Sequence, residues 1–466
     1  MMTRSRLFVL LPLLTAAFSA AAYAQQQMPA EMAAAASIQI EPALPDSPEK
    51  PAAQTAPAQD KAAAPAESKA VSAVDIAAVE WGFFKATCET KDKDVLGDIL
   101  PQLSGWLRTY PDNEFADEAL LLKANLHLKL GDYRSAVLDL LKLMQEYPGS
   151  ESFAAASQLL SITADKEMSK KEKPVLLDIS KAAGVSGRAE KLAFVLAEMA
   201  ARFGKDFFRP LAAEFSEFLV RFPAYAGRDG LELALGNLYS LNKEYLSARL
   251  AYDKVIYVYP SSPLMAKTKK LLADVLAENI NDDLAAIKVY KDITEQFPGT
   301  PEAWAAYLQL PKLTEKKKQY PLAIEVYENI IKLYPDKAEA REAFRSEARV
   351  LREELGKPAE AIAVLNRLAD KYKDDKVVEE LYLAAKIAKK DMKDLDAEIK
   401  SYDRIASDYA GGKEAPKALL EAGQAYEGAK NIDKAKEYYE KIVKEYPEDA
   451  MRKKADKYLA ALAPKL

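Results

Sequence analysis

Cysteine and histidine are almost missing: 466 residues hold one of each, Cys88 and His127. A lone cysteine forms no internal disulfide. Cys88 closes an apolar stretch, Trp81-Gly-Phe-Phe-Lys-Ala-Thr-Cys88, where it reads as a small buried hydrophobe. Most zinc sites need several Cys or His ligands at short spacing, so no metal and no cofactor is expected. Excess charge is also absent. The 66 basic and 71 acidic residues give -5, and without residues 1–24, which carry Arg4 and Arg6, the count is 64 against 71, or -7. That balance gives no electrostatic case for nucleic acid or anionic lipid. A phosphate loop is missing too, since Gly411-Gly412 stands alone without a following lysine-serine pattern.

The chain is long enough for two to four compact domains or for one extended array. Hydrophobic residues make up 49% and charged residues 29%, with both signs mixed. That mixture suits helices with one buried stripe and one solvated face.

Residues 1–24 read as a secretory signal. Arg4 and Arg6 form the basic start, Leu7 to Ala22 the apolar run, and Ala22-Tyr23-Ala24 a small-x-small cleavage site. Cleavage after Ala24 and a periplasmic location are expected, with no membrane span in the mature chain. No cysteine follows the apolar run to take a lipid. Residues 25–74 are Ala, Pro, Gln and Glu with seven prolines and hardly any large apolar side chains. Such a segment cannot offset its ordering entropy and is expected to be a disordered linker, either a passive spacer or a partner-binding arm.

A repeat governs the rest. An aromatic residue recurs at 110, 147, 222, 259, 297, 334, 372, 409 and 446, in steps of 37 or 38 apart from one double step of 75. Proline follows it at 111, 148, 223, 260, 298, 335 and 447. Eight residues before each proline position stands a large apolar side chain: Leu103, Leu140, Leu177, Phe215 and Tyr252, then Tyr290, Tyr327, Leu365, Tyr402 and Tyr439. Four residues earlier alanine stands at 136, 248, 286, 323, 361 and 435, which stacks the two on one helix face. Gly131 and Gly356 mark tight turns inside repeats. Ser150, Ser262 and Thr300 stand as N-caps of first helices, with Pro263 and Pro301 at the first helical position.

Two repeats carry a fuller pattern: Leu235-Gly236-x2-Tyr239 before Ala248-x3-Tyr252-x7-Pro260, and Ala422-Gly423-x2-Tyr426 before Ala435-x3-Tyr439-x7-Pro447. These residues resemble the tetratricopeptide (TPR) signature, x-L-G-x2-Y…A-x3-F…P, and the resemblance covers residues 75–466. It implies an all-α, right-handed solenoid of about ten helix pairs, bounded at 111, 148, 185, 223, 260, 298, 335, 373, 410 and 447, with a capping helix over 449–463. The third pair is degenerate, with Gly184-Val185 in place of aromatic-proline, so residues 149–205 are the expected weak stretch. Pro311 is expected to break or kink the first helix of the seventh pair. The long linkers with Tyr-Pro-x-Ser look like the periplasmic branch of the family. That branch includes the Tol–Pal-associated cell-division coordinator and the lipoprotein of the outer-membrane β-barrel assembly machine; the array here is longer than either.

The resemblance implies a scaffold that binds proteins or extended peptides on a concave surface, with outer-membrane or cell-wall assembly components as partners. In such arrays the first helix of each pair lines the groove, and the position after the signature glycine faces the ligand. That position is Asn125, Asn237 and Gln424 here, whose amides offer donors and an acceptor to a peptide backbone; solvated helix surface is the plain alternative for each. The lysine-asparagine clamp for C-terminal carboxylates is not matched, since Leu121 and Leu233 stand four residues earlier. The rival class is an exported cell-wall-active enzyme or its accessory subunit, and a third is a plain spacer. An enzyme would need a compact module, yet the repeats take up residues 75–466. Ser-His-Asp chemistry would rest on His127, which falls where Tyr239 and Tyr426 stand and reads as a packed histidine. The acid pairs Glu353-Glu354, Asp374-Asp375 and Glu379-Glu380 read as solvated surface. No catalytic residue is assigned.

Overall fold

The computed structural model describes residues 73–462. Residues 1–24 and the linker up to residue 72 lie outside the described residues, and Ala73 and Val74 already belong to the first helix. The described residues form 21 α-helices and, among them, no strand. They divide after Leu264 into two compact units.

The first unit holds five helix pairs: α1 (Ala73–Thr87) with α2 (Lys93–Thr109), α3 (Ala116–Leu130) with α4 (Tyr133–Glu146), α5 (Ser152–Glu167) with α6 (Glu172–Ile179), α7 (Arg188–Phe203) with α8 (Phe208–Arg221), and α9 (Arg228–Leu241) with α10 (Tyr245–Val258). The second unit holds five more: α11 (Met265–Val275) with α12 (Asp283–Gln296), α13 (Pro301–Lys316) with α14 (Tyr320–Leu333), α15 (Ala338–Glu353) with α16 (Pro358–Tyr372), α17 (Val378–Ile387) with α18 (Leu395–Asp408), and α19 (Glu414–Gly428) with α20 (Ile432–Glu445). The terminal helix α21 (Ala450–Ala461) follows, buried at Ala455 and mostly charged on its open side. Each expected repeat thus holds one pair.

The repeat positions form the core. Nine of the ten large apolar residues are buried, and so are all six stacked alanines. Leu177 is the exception. Helix α6 is only eight residues long and turns Leu176 and Ile179 inward instead.

The aromatic-proline pairs end the second helices. Each aromatic still donates its N–H to the carbonyl four residues back, but its ψ swings to between 48° and 67°, because a following proline excludes helical geometry. Tyr372, followed by lysine, stays helical, and Lys373 takes the left-handed turn with φ 44°.

The turn inside the repeat is alike in seven of the ten repeats. Seventeen residues before the proline slot the chain is left-handed at Gly131, Lys243, Asn281, Lys318, Gly356, Lys393 and Lys430. Glycine meets that demand without a Cβ penalty, while the lysines adopt it at some cost.

The break expected at Pro311 and the helix start expected at Pro263 are corrected. Pro311 does not break its helix: α13 runs unbroken from Pro301 to Lys316, with Pro311 buried and the Thr314 hydroxyl bonded to the Leu310 and Pro311 carbonyls. Pro263 is not the first helical residue, since α11 begins at Met265. Ser262 still accepts from the Leu264 N–H. Thr300 caps α13 as expected, accepting from Ala303 N–H with Pro301 next to it.

Candidate binding site

Within a pair, the large apolar residue of the second helix meets the first helix. At Gly236 a Cβ would stand 2.5 Å from Tyr252 Cε1, and at Gly423 it would collide with Tyr439 in the same way. The signature glycine is therefore the socket for the tyrosine ring. The buried phenol then needs an acceptor. Tyr252 donates to Asn237 Oδ1 (2.9 Å), Tyr290 to Asp274 (2.6 Å), Tyr327 to Glu315 (2.5 Å) and Tyr439 to Glu427 (2.9 Å), each on the paired first helix or its C-terminal turn. Burial and these carboxylates push the Tyr290, Tyr327 and Tyr439 phenols well above their usual range.

The three amides lie on α3, α9 and α19, in repeats two, five and ten, and the structure does not bring them together. Asn237 is exposed, although its Oδ1 holds the Tyr252 hydroxyl. Asn125 is half-buried and donates back to the Leu121 carbonyl at 2.8 Å. Gln424 is half-buried and donates to the Tyr458 hydroxyl of α21 at 2.7 Å. Of the three, Asn237 has the freest surface. The carboxylate pairs are corrected at one residue: Glu380 is buried and paired with Arg345, while Asp374 is exposed, as read, and pairs with Arg341.

A larger polar feature escaped the sequence reading. Helix α4 buries Asp139, Lys142, Gln145 and Glu146. Lys123 of α3 reaches Asp139 at 2.8 Å, and His127 Nε2 lies 3.4 Å from the same carboxylate. Lys142 reaches Glu217 at 2.5 Å and Glu214 at 3.2 Å, both on α8. Glu146 receives Arg221 at 2.6 Å and Arg188 at 2.7 Å. Burial alone would depress the Lys142 ammonium, but Glu214 and Glu217 offset this and hold it above its usual range. Burial likewise would raise the Glu214 carboxyl, yet Lys142 and Lys123 hold it below. Burial lowers the His127 imidazole despite Asp139. One signal was present: Leu138-Asp139-Leu140-Leu141-Lys142-Leu143 is apolar on every side of its charges, as in a helix buried all round. Cys88 is buried as read, and burial pushes its thiol up.

In the second unit, the second helices α16, α18 and α20 enclose an open groove of about 930 Å³. Ile362 and Asn366 come from α16, Lys400, Asp403 and Arg404 from α18, and Lys434, Glu437, Tyr438 and Lys441 from α20. Tyr438 donates to Asp403 at 2.8 Å, and Arg404 bonds Asp370, Asp408 and the Asn366 carbonyl.

No curated protein matches the chain. Among solved structures it is similar to a tetratricopeptide repeat protein from Parabacteroides merdae ATCC 43184, at 14% identity over 58% of this chain and 98% of that one, with a TM-score of 0.30. It is also similar to the TPR domain of P58(IPK), at 14% identity over 84% and 100%, TM-score 0.21. A chain of the Naa15/Naa10 structure bound to HypK-THB matches at 13% identity over 83% and 64%, TM-score 0.31. Family models for tetratricopeptide repeats match residues 118–150 and 417–449, and a further one matches 315–376. Both units of the chain therefore carry tetratricopeptide repeats.

Proposed function

We propose that the chain is a non-catalytic scaffold that holds proteins or extended peptides along its helix pairs. The observation that carries this reading is the repeat: tyrosine, alanine, glycine and capping positions serve packing between helices, and the remaining helix faces stay in solvent. Tetratricopeptide repeats are modules for protein–protein interaction, which supports the same reading. Asn237 is the proposed contact with the most accessible surface, and Asn125 and Gln424 are separate stations. The basic start, apolar run and Ala-x-Ala site support export with cleavage after Ala24, and the linker spacing supports a periplasmic role in envelope assembly or coordination. No described helix is long and apolar enough to cross a membrane.

Site-specific photo-crosslinking in cells tests this. A crosslinker at Asn237 is expected to capture discrete protein partners, while one at buried Leu365 captures none. N-terminal sequencing of the mature protein is expected to begin at Gln25. Absence of captured partners from every exposed first-helix position would overturn the scaffold reading.

A further inference from the structure

The groove over α16, α18 and α20 lies on second helices, away from the first-helix positions assigned above, and its charges are unevenly satisfied. Its arginine is spent: Arg404 is bound by Asp370, Asp408 and Asn366. Its three lysines are not. Lys400, Lys434 and Lys441 are exposed, and none has a carboxylate within ion-pair distance among the described residues; Lys434 instead lies 5.7 Å from the Tyr426 ring centre. Two acids, Asp403 and Glu437, stand among them. Asp403 accepts the Tyr438 hydroxyl, a bond that joins α18 to α20 across the groove. Ala359, Ile362, Met392 and Ala397 give the lining an apolar component.

We infer that this groove binds an extended protein segment with spaced acidic side chains and apolar residues between them. The lysines on α18 and α20 would meet the acidic side chains as charge-assisted hydrogen bonds. Asp403 and Glu437 would accept backbone N–H groups of the same segment, which a peptide has and a phosphate polymer lacks. A uniform polyanion is disfavoured because those two carboxylates would face its phosphates. The apolar lining takes the intervening side chains. This rests on the scaffold reading and adds the chemical class of one partner.

The test uses the full chain and two fluorescein-labelled ten-residue peptides, one alternating Glu with Leu and one alternating Lys with Leu, followed by anisotropy. The wild type is expected to bind the acidic peptide, with affinity falling as salt rises, and not the basic one. The double variant Lys400→Glu/Lys441→Glu is expected to lose at least about tenfold in affinity. Both lysines are exposed, so its thermal midpoint should match the wild type. Failure of the wild type to bind the acidic peptide, equal binding of both peptides, unchanged binding by the double variant, or stronger binding of inorganic polyphosphate each overturns the proposal. Crosslinking from Asn237 keeps the two readings apart. Captured partners with no acidic-peptide binding would remove the groove and leave the scaffold, whereas loss of all captured partners would remove the scaffold itself.

Discussion

In residues 73–264 the acids and bases of α4 are buried beside one another and join helices two repeats apart. In residues 265–462 the arginines of α15 lie toward the surface and reach the adjoining repeats. Lys142 and Glu146 meet α8, which is 72 to 75 residues further along the chain. Arg341, Arg345, Arg349 and Arg352 instead meet Asp374, Glu380, Glu315 and Asp391, which are 33 to 39 residues away. The difference follows from the third repeat. Its second helix α6 is short and does not supply a full neighbour to α4, so α7 and α8 pack there in its place. Charges caught in such a joint lose their water and become dependent on one another, whereas charges on a regular face keep part of their hydration.

Removing one member of each set separates the two cases. Lys142→Met leaves Glu214 buried without its main partner and is expected to cost about 3–5 kcal/mol. Adding Glu214→Leu should recover most of that loss. Arg349→Ala, whose partner Glu315 is 2.6 Å away on a partly exposed face, is expected to cost under about 1 kcal/mol. Denaturant titration of the variants checks both; equal losses would show that burial of the α4 set does not set its strength.

A pH series sharpens the contrast within the second unit. Glu347 of α15 is buried, 3.6 Å from Arg367, and burial raises its carboxyl to about 7. The folded state therefore binds the proton more tightly than the unfolded chain. Stability from this group is present at acidic pH and is lost as pH rises through about 7. Glu347→Gln is expected to match the wild type near pH 4.5 and to gain up to about 3 kcal/mol by pH 8. Thermal melts across that range check it, and a gain that does not vary with pH would point to packing.

The ring sockets offer a comparison between well-matched repeats, one in each unit. Gly236→Ala and Gly423→Ala each place a methyl group against a buried tyrosine ring and are expected to cost about 1–3 kcal/mol. Similar losses in both would show that this contact is a property of the repeat rather than of its unit.

The smallest effect is expected at the turns. Lys243→Gly in the first unit and Lys430→Gly in the second relieve left-handed φ values of 65° and 61° and should each stabilise by up to about 1 kcal/mol. A loss at either position would show that the lysine side chain has a contact outweighing its backbone cost.

Most of the fold could be read from residue spacing, because a packed repeat asks for the same side-chain size at the same offset each time. The large residue, the stacked alanine and the aromatic cap all satisfy local demands within about 40 residues. Leu177 was misplaced because α6 shifts its inward face by one residue. The lysine-filled turns were invisible because lysine gives no sign of φ, and only Gly131 and Gly356 announced the slot. Lys142 and Glu146 were read past because their partners on α8 become neighbours only when the third repeat steps aside. The groove escaped for a similar reason, since it needs three helices from three repeats. The amides were found as positions, but Tyr252 and Tyr458 as their hydrogen-bond partners belong to other helices.

The aromatic caps also act as hooks. Tyr147 donates to the Pro111 carbonyl, Tyr372 to Pro335 and Tyr446 to Ala410, each one repeat back, while the Ser262 hydroxyl reaches Asp229 of the preceding first helix. Under a pulling force such ties fail one neighbour at a time. Each released repeat of 37 residues would lengthen the tether by roughly 120–130 Å of extended chain. Between α4 and α8 the tie skips a repeat, so that stretch would resist at higher force and then give way as one longer step.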